Sequence, residues 1–355
     1  LACFANIKDK YTNLYALSQS QLIEEVFSIN GIKAEASSAG LVGRRLIQQL
    51  GGLQGCRVLK ISGIRELIKK YSPDQAFTLS GATETIRQVD PKTNQERFKL
   101  FEHLFIEARE SSKLTPKNAF TYLALRGLFR PGLELKCPIC QLKFWLSIED
   151  IKTNLPCEYC GINFNIIPQL KDRDWKYRRS GLFGRNDHQA GGIPVAIVLQ
   201  QLHTVLSNKL IAFTTGINLS ARSGIIPNCE TDLVGIVKTT DEKVQILIGE
   251  VKTRDIIEDK DVENLLAIAN IFEGGSIEPF ILFAKLSDFT PDELSVIQRA
   301  QDQYRNRVIL LTDRELEPYH IYQRTNQELN LDINIYQMNL TALAQNTHKI
   351  WFSSL

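Results

Sequence analysis

No apolar run in the sequence approaches the roughly 18 residues that a membrane-spanning helix needs, which excludes the integral-membrane class and predicts no membrane partner. The chain does not open on the charged, then apolar, then small-residue pattern of a signal peptide. Methionine is nearly absent. Its single copy is Met338 and the chain opens on Leu1, which leaves the natural start undetermined. Charge of one sign is lacking too. The 42 Lys and Arg against 40 Asp and Glu give +2, so the whole chain is no polycation and any affinity for nucleic acid must come from a local patch. There is no P-loop and no Gly-x-Gly-x-x-Gly, which excludes those two phosphate cradles. Internal repeats and low-complexity segments are missing. Seven cysteines do not make a disulfide framework. Four fall in two Cys-x-x-Cys pairs and Cys3, Cys56 and Cys229 stand singly, a pattern of metal chemistry in a reducing, cytoplasmic compartment. What is present is a 355-residue chain with 43% hydrophobic residues, enough for two or three domains.

The most informative stretch runs from Cys229 to Arg254. Two apolar runs flank a polar break at Thr239 to Lys243, which predicts a β-hairpin. With that loop, Lys238 opposes Val244, and counting back places Asp232 opposite Glu250 and Glu230 opposite Lys252. Opposed residues have Cβ atoms about 5 Å apart, and like charges there repel. Two carboxylates held together at the end of an apolar hairpin need a reason, and a divalent cation such as Mg²⁺ is the simplest one. A solvated surface hairpin is the plain alternative. Val-Gln-Ile-Leu-Ile-Gly, apolar on both faces, argues instead for a buried central strand.

Cys137-Pro-Ile-Cys140 and Cys157-Glu-Tyr-Cys160, sixteen residues apart, predict a Zn²⁺ site in which each knuckle supplies two thiolates. The arrangement resembles a zinc ribbon, with strands at Leu142 to Leu146 and Gly161 to Ile166 and with Phe144, Trp145 and Phe164 packed around the knuckles. Four cysteines leave no open coordination position, so the zinc is read as structural rather than catalytic. A redox pair is the weakest reading, because two pairs at ribbon spacing explain each other. The following segment, Lys171 to Arg185, interleaves Lys176, Arg178, Arg179 and Arg185 with Trp175, Tyr177 and Phe183. Aromatic faces stack on bases and guanidinium groups grip phosphates. A linker pinned by its aromatics accounts for the same pattern, and both can hold at once.

Before the knuckles, residues 1–130 read as a mostly helical α/β segment. Helical periodicity covers Ser20 to Phe27 and Leu41 to Leu50, a short strand Cys56 to Ile61, and further helices Ile64 to Tyr71 and Phe98 to Arg109. A last helix is opened by Thr115 as N-cap and Pro116 at its first position. No chemistry is assigned here. Target recognition or partner contact, including a homodimer, is the default expectation. After the arm, Ile193 to Leu206 is an amphipathic helix with Pro194 in its first turn. The hairpin follows, then helix Val262 to Phe272, strand Pro279 to Lys285, a helix opened by the Thr290–Glu293 capping box, and strand Arg307 to Leu311. Helical crossovers predict that the last three strands run parallel.

Glu230-x-Asp232, seventeen residues, then Glu250-Val251-Lys252, set in this order of elements, resembles the PD-(D/E)xK nuclease superfamily over roughly residues 186 to 320. The resemblance implies an α/β fold with a restriction-endonuclease-like αβββαβ-type core. The domains are then 1–130, an N-terminal recognition or partner domain; 131–185, the zinc ribbon with its basic arm; 186–325, the nuclease domain; and 326–355, a packing segment. It implies metal-assisted phosphodiester hydrolysis in nucleic acid, with DNA the first expectation and prokaryotic defence or DNA processing the setting. Asp232, Glu250 and the Val251 carbonyl would hold the cation, Mg²⁺ or Mn²⁺. Lys252 would orient the attacking water or stabilise the charged transition state, and Glu230 would bind a second metal or hold Lys252. One departure stands out: residues 188–207 contain no Asp or Glu, where many members supply an acid. Gln189, Gln200 or Gln201 is the candidate to replace it, and His188 is the candidate to act as a base. The alternatives are a nucleic-acid-binding adaptor or sensor with an inactive core, and a nuclease acting on RNA.

Overall fold

The computed structural model describes residues 2–5, 14–89, 94–106, 113–170, 175–185, 189–207, 209–221, 224–239, 243–353. Its contacts divide into two compact units, Leu1–Gln48 with His188–Leu355, and Gln49–Asp187. The first 48 residues thus belong with the second half of the chain, and the reason is strand pairing. In the larger unit, β1 (Ala2–Ala5) and β2 (Leu14–Leu17) form a small antiparallel sheet, followed by α1 (Gln19–Ile29), β3 (Ile32–Ala36) and α2 (Ser38–Gln49). The chain re-enters with α3 (Gln189–Leu206), β4 (Leu210–Ala221), β5 (Cys229–Lys238), β6 (Val244–Lys252), α4 (Asp259–Phe272), β7 (Ile277–Lys285), α5 (Pro291–Gln303) and β8 (Val308–Leu311). The six-stranded mixed sheet has the order β8-β7-β6-β5-β4-β3. β3 is its edge strand, paired antiparallel to β4 from Ile217↔Ala36 to Ala221↔Ile32. The early segment thus completes a sheet built mostly by the second half of the chain.

Glycine sets the closeness of that union. A Cβ on Gly40, in the first turn of α2, would lie 1.9 Å from the Gly216 carbonyl oxygen of β4, so no other residue fits without moving the backbone. Gly43 and Gly192 likewise let α2 and α3 approach each other. This explains why α3 begins at Gln189 rather than near Ile193. Gly191-Gly192 reads as a helix breaker, but here it serves packing, and Pro194 lies inside the helix rather than in its first turn.

β6 is central and buried, as its two-faced apolar pattern predicts. β5 and β6 pair in the expected register, from Lys238↔Val244 to Leu233↔Gly249. β6, β7 and β8 are parallel, as the crossovers require. β4 has no clear strand pattern in the sequence, because polar residues and Gly216 interrupt it. One face of the sheet carries Val234, Ile236, Ile246, Ile248, Ile281 and Phe283 into a core closed by Val262, Leu265, Ile268 and Phe272 of α4. The C-terminal helix Leu340–Thr347 packs on β8, where the Thr347 hydroxyl accepts from the Leu310 N–H at 3.0 Å.

The smaller unit contains helices Ser62–Lys70, Leu79–Arg87 and Pro116–Leu125, the last capped by Thr115 as predicted. Cys56 to Ile61 is not a strand. Gly55–Lys60 is a 3₁₀ helix, because the Gly51-Gly52 turn leads straight into i→i+3 bonding. Phe98 to Arg109 is not one helix either: Arg97–Phe101 is a 3₁₀ turn, and Arg109 lies outside the described residues. A four-stranded antiparallel sheet has the order Phe77–Thr78, Lys176–Arg179, Phe129–Lys136, Lys143–Ser147, and Asn154–Pro156 pairs with Asn163–Asn165. Among the described residues, no helix is long and apolar enough to cross a membrane.

Candidate functional site

Alternation along β5 and β6 puts Asp232 and Glu250 on the sheet face that Val234 and Ile248 share, at the end where the apolar core stops. Beyond Leu233↔Gly249 the backbone ladder is continued by side chains. The Val251 N–H donates to Asp232 Oδ2 at 2.7 Å, and the Thr231 hydroxyl donates to the Gly249 carbonyl at 2.9 Å. One Asp232 oxygen is therefore fixed by backbone and the other is left for the cleft. Lys252 Nζ donates to Glu250 Oε1 at 2.6 Å and lies 3.3 Å from Asp261 Oδ2. Asp261 comes from the first turn of α4, where it also accepts the Glu258 N–H at 3.0 Å in a capping box. These groups open onto a cleft of about 640 Å³ whose lining includes six carboxylates: Glu35, Glu230, Asp232, Glu250, Glu258 and Asp261. Glu230 is exposed, with Oε1 beside Gly216. Asn218, Ser220 and Asn228 supply neutral polar groups to the wall.

Burial raises the Asp232 carboxyl to about 6 against the Val251 N–H and the Lys252 charge. Glu250 is pushed up to about 8, first by burial and then by the Asp232 charge. Lys252 is also raised: burial opposes its charge, but Glu250 and Asp261 prevail and keep it a cation. Asp232 and Glu250 titrate together, since the Asp232 charge raises Glu250. Their oxygen donors are of the hard type that Mg²⁺ or Mn²⁺ prefers. Among the described residues, only the four cysteines form a group of three or more potential ligands lying within 4.8 Å of one another. No three carboxylates of the cleft come that close, and the Lys252 ammonium lies between Glu250 and Asp261.

His188 lies outside the described residues, as does the side chain of Gln189 at the start of α3. Gln200 and Gln201 are buried away from the cleft: Gln200 bonds Thr204 and Gln201 donates to the Glu315 carbonyl. The acid that approaches Lys252 instead follows the hairpin. Its sequence signal was Glu258-x-x-Asp261 before the apolar run of α4, a helix start placed just after Lys252.

In the smaller unit, Cys137, Cys140, Cys157 and Cys160 bring their sulfur atoms within 4.8 Å of one another. The two knuckles repeat the same turn. The Gln141 N–H bonds the Cys137 carbonyl and the Gly161 N–H bonds the Cys157 carbonyl, each at 3.0 Å, with Gln141 at φ 62° and Gly161 at φ 70°. Backbone N–H groups of Ile139 and Tyr159 point at the Cys137 and Cys157 sulfurs, both at 3.4 Å. Such donors favour thiolate. Burial raises Cys137, but the Cys140 and Ile139 N–H groups outweigh it and bring it down to about 7. Leu135, Phe144, Leu155 and Phe164 pack beneath the knuckles. The cluster suits a structural Zn²⁺ with four thiolates and no open position.

The described part of the basic arm contains the strand Lys176–Arg179. Arg179 is buried, and its guanidinium donates to the carbonyls of Phe183, Ile68, Tyr71 and Arg185. Those bonds hold the unit together and leave that guanidinium turned away from any phosphate. Arg178 lies over the Trp145 ring at 5.2 Å, while Lys176 is half-buried and Trp175 and Arg185 are exposed. The linker function therefore has its physical basis in Arg179, while Trp175, Lys176, Arg178 and Arg185 keep the outward part of the pattern.

No protein-family model and no curated protein sequence matches the chain. Among solved structures, protein VC1899 from Vibrio cholerae is similar over 83% of this chain at 12% sequence identity and a TM-score of 0.34. The match spans 58% of the length of that protein's chain. The likeness is distant and carries no argument about activity.

Proposed function

We propose that the larger unit is a Mg²⁺- or Mn²⁺-dependent nuclease with a restriction-endonuclease-like core, hydrolysing phosphodiester bonds in DNA. The observation that carries this reading is that Asp232 and Glu250 line one cleft together with Asp261, while Lys252 Nζ sits 2.6 Å from Glu250 and 3.3 Å from Asp261. The order α3-β4-β5-β6-α4-β7 supports it, being the αβββαβ arrangement that the resemblance implies. Asp232, through the oxygen not held by Val251, and Glu250 would hold the cation, together with the Val251 carbonyl. The bound cation would supply Lewis-acid stabilisation of the charge that builds on the phosphoryl oxygens. Lys252 keeps its proton under the influence of Glu250 and Asp261, so its role is that of a fixed positive charge toward the phosphate rather than a general base. Glu230, at the exposed rim, is suited to water-mediated contact with a second cation. Structural zinc in the smaller unit, with Trp175, Lys176, Arg178 and Arg185, would serve nucleic-acid binding.

The test is incubation of the purified protein with supercoiled plasmid, single-stranded DNA and RNA in Mg²⁺, Mn²⁺ or EDTA. Metal-dependent nicking or linearisation that EDTA abolishes is the expected result. Cleavage of RNA alone moves the substrate. Binding without cleavage of any of the three favours an inactive-core adaptor.

A further inference from the structure

Next to the cleft lies a buried ion pair to which the proposed chemistry gives no role. Lys285 is the last residue of β7, and its register partner on the neighbouring strand is Lys252. Its ammonium donates to Glu293 at 2.7 and 2.9 Å, and the two side chains are only 3% and 2% exposed. A buried pair of this kind is costly to desolvate and is weak evidence for stability alone. The remaining lone pairs of Glu293 show what else it does. Oε1 accepts the Ile257 N–H at 2.8 Å and Oε2 accepts the Thr290 N–H at 2.8 Å. One carboxylate thus ties together the end of β7, the start of α5 and the loop that leads from β6 into α4. Ile257 is itself buried in the core and immediately precedes Glu258, the N-cap of α4. Four residues after Ile257 comes Asp261, 3.3 Å from the Lys252 ammonium.

We propose that Glu293, held by Lys285, is a positioning residue for the cation site: by fixing Ile257 it sets where α4 begins and so where Asp261 meets Lys252 and Glu250. The pair also keeps Lys285 neutralised, so that it does not compete with its register partner Lys252 for Glu250 and Asp261. The inference rests on the metal-dependent reading of the cleft, in which Lys252 must be shared between Asp261 and Glu250 when a cation arrives. Outer partners that orient a metal site are worth about tenfold or more in affinity.

The test uses the full chain, Mn²⁺ as the probe and two readouts that need no cleavage. Glu293→Gln and Glu293→Ala should each weaken Mn²⁺ binding, measured by calorimetry, by about tenfold. In an Asp261→Asn background the same changes should have little further effect, because Glu293 acts through Asp261. Amide hydrogen exchange should quicken at residues 253–261 while protection in β6 and β7 stays as it is in the unmodified protein. Full additivity of Glu293→Gln with Asp261→Asn, or unchanged exchange at 253–261, would overturn the proposal, and Glu293→Gln serves if Glu293→Ala does not fold. An unmodified protein that binds no Mn²⁺ would overturn the metal reading, and with it a positioning role, whereas the exchange arm would still show whether Glu293 clamps the loop.

Discussion

Asp261 stands 3.3 Å from the Lys252 ammonium, although the two residues belong to different elements and eight residues lie between them in the chain. Lys252 also bonds Glu250, so one cation is shared by acids from the hairpin and from the helix after it. Replacing Asp261 with Asn should keep the capping acceptor and remove the charge. The expected outcome is a fall in metal-dependent cleavage of about tenfold with melting temperature and zinc content little changed. Cleavage equal to that of the unmodified protein would remove Asp261 from the site.

The pH dependence of stability has a definite sign. In the metal-free protein Glu250 titrates at about 8 and Asp232 at about 6, above the ordinary carboxylate values of about 4 that apply to the unfolded chain. Between about pH 4 and 8 the folded state therefore binds more protons than the unfolded state, and stability falls as pH rises through about 6 and then about 8. Each group contributes at most about 1.4 kcal/mol per pH unit. Melting curves in EDTA from pH 5 to 9 should show this decline, and Glu250→Gln should flatten its upper part. A decline that Glu250→Gln leaves untouched would place the titrating group elsewhere.

Zinc content tests the smaller unit. Purified without chelator, the protein should carry one Zn²⁺ per chain by elemental analysis, and Cys157→Ser should cost on the order of 4 kcal/mol or more, as losses of structural metal do. The knuckle geometry adds a finer expectation. Gln141 occupies the left-handed position that Gly161 fills in the other knuckle, so Gln141→Gly should stabilise the protein by about 1 kcal/mol and Gly161→Gln should do the reverse. Thermal melts of the zinc-loaded protein measure both. A Gln141→Gly melt below that of the unmodified protein would contradict the equivalence of the two turns.

Arginine in the basic arm should divide by burial. Arg179→Ala leaves four carbonyls without their donor and should lower stability by roughly 2 kcal/mol or more. Reversing charge at Lys176 and Arg185 should instead leave melting almost unchanged, weaken binding to DNA and reduce its salt slope. Salt-independent binding by the unmodified protein would return the whole segment to its linker role.

The hairpin was legible because period-two alternation and a short polar loop fix a register uniquely, and the observed pairing Lys238↔Val244 follows from the loop ends alone. The capping boxes at Thr290 and the Cys-x-x-Cys turns were equally local signals. What escaped was non-local. β3 pairs with a strand some 180 residues later, and nothing within Ile32–Ala36 announces that partner. β4 was hidden by Gly216 and the polar Thr214, Thr215 and Asn218, which interrupt its apolar pattern. Arg179 reads like its neighbours until the fold places carbonyls from residues 68, 71, 183 and 185 around it. Asp261 is not legible as a site residue because it lies in α4, after the hairpin, where its Glu258-x-x-Asp261 setting reads as a helix cap.

The most direct test of the central claim compares the rate of plasmid cleavage by the unmodified protein with that of Lys252→Ala and Asp232→Ala, in Mg²⁺ and in Mn²⁺, at matched zinc content and melting temperature. Loss of one donor of transition-state stabilisation typically costs about 10²–10³ in rate, and the account predicts a fall at least that large for both variants with DNA binding retained. Cleavage by Lys252→Ala at the rate of the unmodified protein would contradict it.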